Sequence, residues 1–351
     1  MIDAQRLRAA LHLDEVDPED LVEVLNWHFG GARNEQPREI GFPQSGDAVL
    51  TLRFSKDMRS CDQVVAGPGL DEKTVGEVEE KVRSELLSST EDQVGVAVLF
   101  SLEQVTGVWR YKDRLQLSPV PPEAPRPAFS YADHPSLLEF TYAASNQPML
   151  NGRRKQRAAT RWARRLNVLV EPGLEMLDLR ARHRWVLVPQ DDGKMRSAFL
   201  QEGYWLPEGM TFDPKVMSLP EYPPIERVEP SQYYSRFGTQ LDALKLPTTL
   251  DQLITVIEEL PTDALLRFDR AAYWFDYATN VAVGYSSSAA AVALGATIEA
   301  LFEPESSPEI CPECKRALRG PTARFVEFMM EHLAGPDAEG RRRLFAKETA
   351  S

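Results

Sequence analysis

The densest chemistry in the chain lies in one short run. Asn151-Gly-Arg-Arg-Lys-Gln-Arg-Ala-Ala-Thr-Arg-Trp-Ala-Arg-Arg165 holds seven positive charges and no acid. On a helix, Arg153, Arg157, Arg161, Arg164 and Arg165 share one broad face, with Arg154 and Lys155 adding to the charge. Trp162, Leu166 and Leu169 lie on another face, suited to docking on a sheet. Planar guanidinium forks match phosphate oxygens, so the stripe suits RNA or another polyanion, with affinity that falls steeply with salt. The alternative is a face that pairs with acids of the same protein, through bridges that each contribute little. Arg180, Arg182 and Arg184 follow shortly after.

Cys311-Pro-Glu-Cys314 has the spacing of half a zinc knuckle: the turn points two thiolates at one metal, and Zn²⁺ takes four ligands. Cys61 and His332 are the remaining candidates, without helpful spacing. The open readings are a metal-free loop, a zinc site completed elsewhere or across a dimer, and a redox pair. The last is the weakest, because no thioredoxin-like strand precedes Cys311 and no helix starts there. Zinc is the sole cofactor the sequence suggests.

Glu299 stands in Ala289-Ala-Ala-Val-Ala-Leu-Gly-Ala-Thr-Ile-Glu-Ala-Leu-Phe302, an almost wholly apolar helix. A carboxylate there is expected to be partly buried, needing a partner such as Arg267, Arg270 or Arg324, or a raised pKa. A structural ion pair is the plainer reading. Asp133-His134 offers an acid–base pair on paper, but neighbours on a strand point to opposite faces. His183 reads as a strand-edge residue beside the basic helix. Ala66-Gly-Pro-Gly-Leu70 leads into a helix but lacks the phosphate-binding glycine signatures, and it reads as a simple turn. No Gly-x-Ser-x-Gly or His-Glu-x-x-His signature is present, so no catalytic residue is assigned.

The elements that must carry these residues fall into two textures. Leu7, Leu11, Leu21, Val24 and Leu25 are spaced for helices in residues 1–30, with a helix start at Pro18-Glu-Asp20. Residues 30–46, rich in Gly, Pro, Asn and Gln, read as loop. A strand is expected at 48–54, a helix from Asp71 to about Leu87, and strands at 94–102, 107–120 and 137–142. The basic helix should run from about Asn151 to Glu171, followed by a strand pair around Asp191-Asp-Gly193. Proline-rich connectors occupy 118–127 and 206–230. From Pro247 strand signals vanish, and helices are expected at 248–260, 262–283, 286–303, 321–334 and 337–347. The expected fold is therefore an α+β domain over 1–240 followed by an all-α helical bundle over 247–351.

Bulk properties set the limits. The chain has 351 residues and a formal charge of −13, so without the +7 helix everything else sums to −20. The average argues against a protein coated in basic surface, while leaving room for one local polyanion site. No run approaches the length of about 18 apolar residues that spans a bilayer. The N-terminal residues lack an apolar signal core, and three cysteines form no disulfide framework, so a cytoplasmic setting without a membrane partner is expected.

Leu265-Leu-Arg-Phe268, then Leu294-Gly-Ala-Thr-Ile-Glu-Ala-Leu-Phe302, a cysteine-containing loop and Arg324-Phe-Val-Glu-Phe328 together resemble the Apea-like branch of HEPN domains. The resemblance covers about residues 250–347, and its motif, a helix ending in Leu/Ile-Glu-Ala-Leu, is moderately specific. It implies a helical bundle, commonly dimeric, of a kind found in bacterial anti-phage and toxin–antitoxin systems. Many relatives are metal-independent ribonucleases, and others bind nucleotides or RNA. The family's catalytic signature, an Arg and a His separated by four to six residues, is expected after Arg341-Arg-Arg-Leu-Phe345, where the chain runs Ala346-Lys-Glu-Thr-Ala-Ser351. His332 follows Arg324 at too great a spacing, and Arg6 with His12 falls in the wrong domain. The expectation is a non-catalytic or truncated relative that contacts RNA or another polyanion through 151–165. The rival expectation is a protein-interaction module that dimerises through its helical domain.

Overall fold

The computed structural model describes residues 2–44, 47–55, 60–88, 91–101, 103–120, 134–170, 174–176, 183–189, 195–202, 212–236, 242–281 and 286–302. The fold is α+β, with a sheet region early and helices late. It divides into two compact units. The first holds residues 1–95, 140–159 and 212–218, and the second holds 96–139, 160–211 and 219–351.

In the first unit, α1 (Ala4–Ala10) and α2 (Pro18–Phe29) precede an antiparallel meander of β1 (Arg33–Gln36), β2 (Glu39–Gln44), β3 (Asp47–Phe54) and β4 (Cys61–Ala66). Asp17 caps α2, accepting hydrogen bonds from the Glu19 and Asp20 amides at 2.9 and 3.2 Å, and Pro18 opens the helix where its missing donor costs nothing. Gly30 ends it at φ +73°, a left-handed conformation that suits glycine. On β3, Leu50, Leu52 and Phe54 turn inward while Arg53 stays exposed, the period of two expected there. Asp71 caps α3 (Glu72–Val82), accepting from the Thr74 amide at 2.8 Å, and Val75, Val78 and Val82 are buried, with α3 packed against α1 and α2. With Leu7, Leu11, Leu21, Leu25 and Phe42 these form one core. Each fully buried side chain of this kind contributes about 1.5–3 kcal/mol.

The loop expected over 30–46 is instead the pair β1–β2. Asn34 and Gln36 are polar because β1 is an edge strand. Pairing supplies what composition lacks: Ile40 lies opposite Leu52 and Phe42 opposite Leu50. Strand β4 was also not anticipated, its inward positions being Cys61 and Val64. At 66–70 the expected turn is present, with the Leu70 amide bonded to the Gly67 carbonyl and Gly69 at φ +94°.

In the second unit lie parts of a five-stranded sheet ordered β6-β7-β8-β5-β9, drawn from β5 (Asp92–Ser101), β6 (Trp109–Tyr111), β7 (Leu115–Pro119), β8 (His134–Ala143) and β9 (Glu175–Met176). The strand expected over 107–120 is thus a hairpin, turning at Lys112 with φ +50°. β10 (His183–Pro189) and β11 (Met195–Glu202) pair antiparallel as expected. Of the connector expected over 206–230, residues 212–226 carry no regular element, 227–228 form a short strand, and 206–211 lie outside the described residues. β12 (Arg227–Val228) pairs in parallel with β13 (Leu246–Pro247), and a single turn α5 (Pro230–Tyr233) lies between them.

Helices α6 (Leu250–Glu258), α7 (Thr262–Asp276) and α8 (Ser287–Leu301) follow. α6 buries Leu250, Ile254 and Ile257 at helical spacing. The β6–β7 hairpin holds it by polar contacts: Trp109 Nε1 donates to Asp251 at 2.8 Å, and Tyr111 Oη reaches Thr255 and Glu258 at 2.9 Å each. α7 packs against α8, with small side chains buried at Ala271, Ala272, Ala293 and Ala300. The helices expected at 321–334 and 337–347 lie outside the described residues.

Candidate anion-binding helix

The basic run forms α4, Pro148–Leu169. Its start is fixed by Asn151, whose side-chain oxygen accepts from the Ser145 amide at 3.0 Å, and by Gln147, which accepts from the Leu150 amide. Residues 148–159 belong to the first unit and 160–169 to the second.

Within the first unit the arginines meet acids of α2. Arg153 Nε lies 3.0 Å from Glu23. Arg154 Nε donates to Asp20 at 2.7 Å and its Nη1 to the Ala144 carbonyl at 3.2 Å. This pair is withdrawn from water, the Arg154 side chain being 13% exposed and Asp20 7%. Arg157 donates to Glu19 at 2.7 Å, lies 3.4 Å from Asp17 and also bonds Asp20. Burial lowers the pKa of Arg154, desolvation outweighing the pull of Asp17 and Glu85. Lys155 has no ion pair among the described residues, and burial alone lowers its pKa. Its stem lies against Gly95, where an added Cβ would sit 3.2 Å from Lys155 Cγ and 2.7 Å from the Phe140 ring.

Within the second unit the arginines meet α7. Arg165, 8% exposed, grips Asp269 in a two-pronged contact at 2.7 and 2.9 Å. Arg161, 55% exposed, stands 3.9 Å from the same carboxylate. Arg164 lies 3.6 Å from Asp276 and places its guanidinium 4.7 Å from the Tyr273 ring centre. Asn167 donates to Asp276 at 2.7 Å and accepts from the Leu174 amide. Trp162, Leu166 and Leu169 are buried, as their spacing implied.

Six of the seven basic residues singled out in the sequence are therefore ion-paired within the chain, and Lys155 is the exception among the described residues. The acids that meet them were not anticipated as partners. Their signals were present: Asp17, Glu19, Asp20 and Glu23 open α2, and Asp269 and Asp276 lie seven apart, two turns along one helix face.

Other candidates separate. Glu299 is exposed on α8, and no ion pair joins it to another described residue, so the expected partial burial is corrected. The reason is that α8 buries a narrow stripe through Ala293 and Ala300, and a helix apolar all round does not declare which side faces inward. Among the described residues the deeply buried acids are Asp20, Glu103 and Glu139, with Glu139 accepting from Gln116 Nε2 at 2.8 Å. Cys61 is buried in the first unit's core, and desolvation raises its pKa. Cys311, Cys314 and His332 lie outside the described residues, as does Asp133. His134 and His183 each open a strand, β8 and β10. Among the described residues no group of acids, histidines and cysteines is arranged to hold a metal, and no helix is long and apolar enough to cross a membrane. No protein-family model, curated protein or solved structure matches the chain.

Proposed function

We propose that the protein is a non-catalytic interaction module that associates with a second copy of itself through its helical region. The observation that supports this most is α8, which exposes apolar side chains on both flanks of its buried Ala293–Ala300 stripe. Val292 is 75% exposed, and Leu294 and Leu301 are exposed as well, on a helix whose single charged residue is Glu299. Apolar side chains concentrated on one element in water mark a protein-contact surface more often than a substrate site. In this reading the region from 247 onward is a HEPN-like bundle, which α6, α7 and α8 support and the resemblance at 265–302 motivates. Light scattering coupled to size exclusion tests it: the full chain should run as a dimer at about 50 µM, and Val292→Asp with Leu294→Asp should run as a monomer. A monomeric wild type would sink the proposal.

A second reading, RNA or another polyanion on α4, is favoured by Arg153 and Arg161, which keep about half of their side chains in water, at 49% and 55%. Changing Arg153, Arg154, Arg157 and Arg161 to Ala should weaken salt-sensitive RNA binding. Binding that is absent, or indifferent to salt and to the substitutions, removes this reading.

A further inference from the structure

We propose that the acidic opening of α2 is a built-in competitor that occupies the Arg153–Arg157 edge of α4 and holds it closed to phosphate anions. This deepens the polyanion reading and rests on it. Arg153 and Arg157 are four apart on α4, so they stand one above the other on one helix face. Each points at carboxylates of α2: Arg153 at Glu23, and Arg157 at Glu19, Asp17 and Asp20. The contacts are of two kinds. Asp20 with Arg154 is a buried pair that fixes the two helices. Glu19 and Asp17 are rim carboxylates, 71% and 57% exposed, already in water, whereas Glu23 is 16% exposed and Asp20 keeps its own bond to Arg157.

Exposed pairs contribute little to stability, because water serves both partners almost as well. The rim carboxylates can therefore swing away while α2 stays anchored by Leu21, Val24 and Leu25 in the core. What they do contribute is local charge neutralisation, which a polyanion must displace before it binds. The ligand class is a chain of phosphates offering at least two charged groups, each able to take a two-pronged guanidinium contact. A free polyphosphate and a nucleic-acid backbone share this chemistry.

The test uses the full chain and two probes, tripolyphosphate by calorimetry and a single-stranded RNA oligonucleotide by fluorescence anisotropy. Each is measured at about 50 and about 200 mM salt. Glu19→Gln with Glu23→Gln should bind about tenfold tighter than wild type, with the gain shrinking at higher salt. Adding Arg153→Ala and Arg157→Ala to that variant should abolish the gain. Asp17→Asn with Glu19→Gln is the parallel variant, since Asn keeps the helix cap, and it should show the same direction. A gain for RNA alone assigns the edge to a nucleic-acid backbone, and a gain for both probes assigns it to phosphate chains generally. Wild type that binds as tightly as the Gln variants overturns the competitor while leaving the polyanion reading in place. No binding by any folded variant overturns both.

Discussion

Arg154 and Arg165 each seat a guanidinium against a carboxylate away from water, but the carboxylates are of different kinds. Asp20, which meets Arg154, stands in the first turn of α2, where an acid also complements the positive helix end. Its presence there needs no arginine to account for it. Asp269, which meets Arg165, lies in the middle of α7, and Asp276 lies two turns further on. Neither caps nor opens that helix, and both are accounted for by the arginines and Asn167 of α4. A charged run that reads as one surface in sequence is therefore two separate sets of contacts. Acids outside the first turn are the more telling sign that arginines are held internally.

The largest test of this contrast is removal of the acids. Asp269→Ala leaves Arg165 buried without a counter-charge and should destabilise by about 3 kcal/mol. Asp20→Ala should cost less, about 2 kcal/mol, because Arg154 keeps the Ala144 carbonyl and Arg157 keeps Glu19. Urea denaturation of both variants measures the order. A larger loss at Asp20 would break the contrast, showing that the helix-opening acid is the main clamp.

What the sequence disclosed follows the physics of each element. β3, α3 and α4 were legible because a single buried face imposes a period, as Leu50-Leu52-Phe54 and Val75-Val78-Val82 do. β1 and β2 escape the pattern because β2 owes its place to Leu52 and Leu50 opposite Ile40 and Phe42, and the edge strand β1 pairs only with β2 while its own Asn and Gln say loop. The arginine run was found, but its partners were not. Asp20 is 134 residues away from Arg154, and Asp269 is 104 away from Arg165, beyond any local rule. Glu299 was misplaced for the opposite reason: on α8 nearly every position is apolar, so the pattern carries no direction.

Lys155 sharpens the contrast from the other side, as the cation of the run that meets no acid among the described residues. Burial lowers its pKa below the ordinary lysine value, so folding disfavours the charged form. Below the folded pKa both folded and unfolded chains hold the proton, and the full penalty applies. As pH rises through the folded pKa toward the ordinary value, the folded state has released the proton while the unfolded state still binds it. Stability then increases with pH over that window. Lys155→Met should stabilise at pH 7 by about 1 kcal/mol and flatten this alkaline gain. An unchanged pH profile in the variant would show that another group causes the slope.

The smallest expected effect is also the most discriminating between a structural and a binding role for α4. Arg153 and Arg161 are each half in water, and the Arg161 contact at 3.9 Å is beyond hydrogen-bond length. Replacing either with Ala should move stability by no more than about 0.5 kcal/mol, with the better helix propensity of Ala offsetting the lost contact. A cost above about 1.5 kcal/mol would place them with Arg154 and Arg165 as structural clamps. With no cost, nothing in the folding of the chain requires two arginines at these positions. Paired to Glu23 and Asp269 yet half in water, they are then the arginines of α4 whose exchange for Ala reads binding without disturbing the fold.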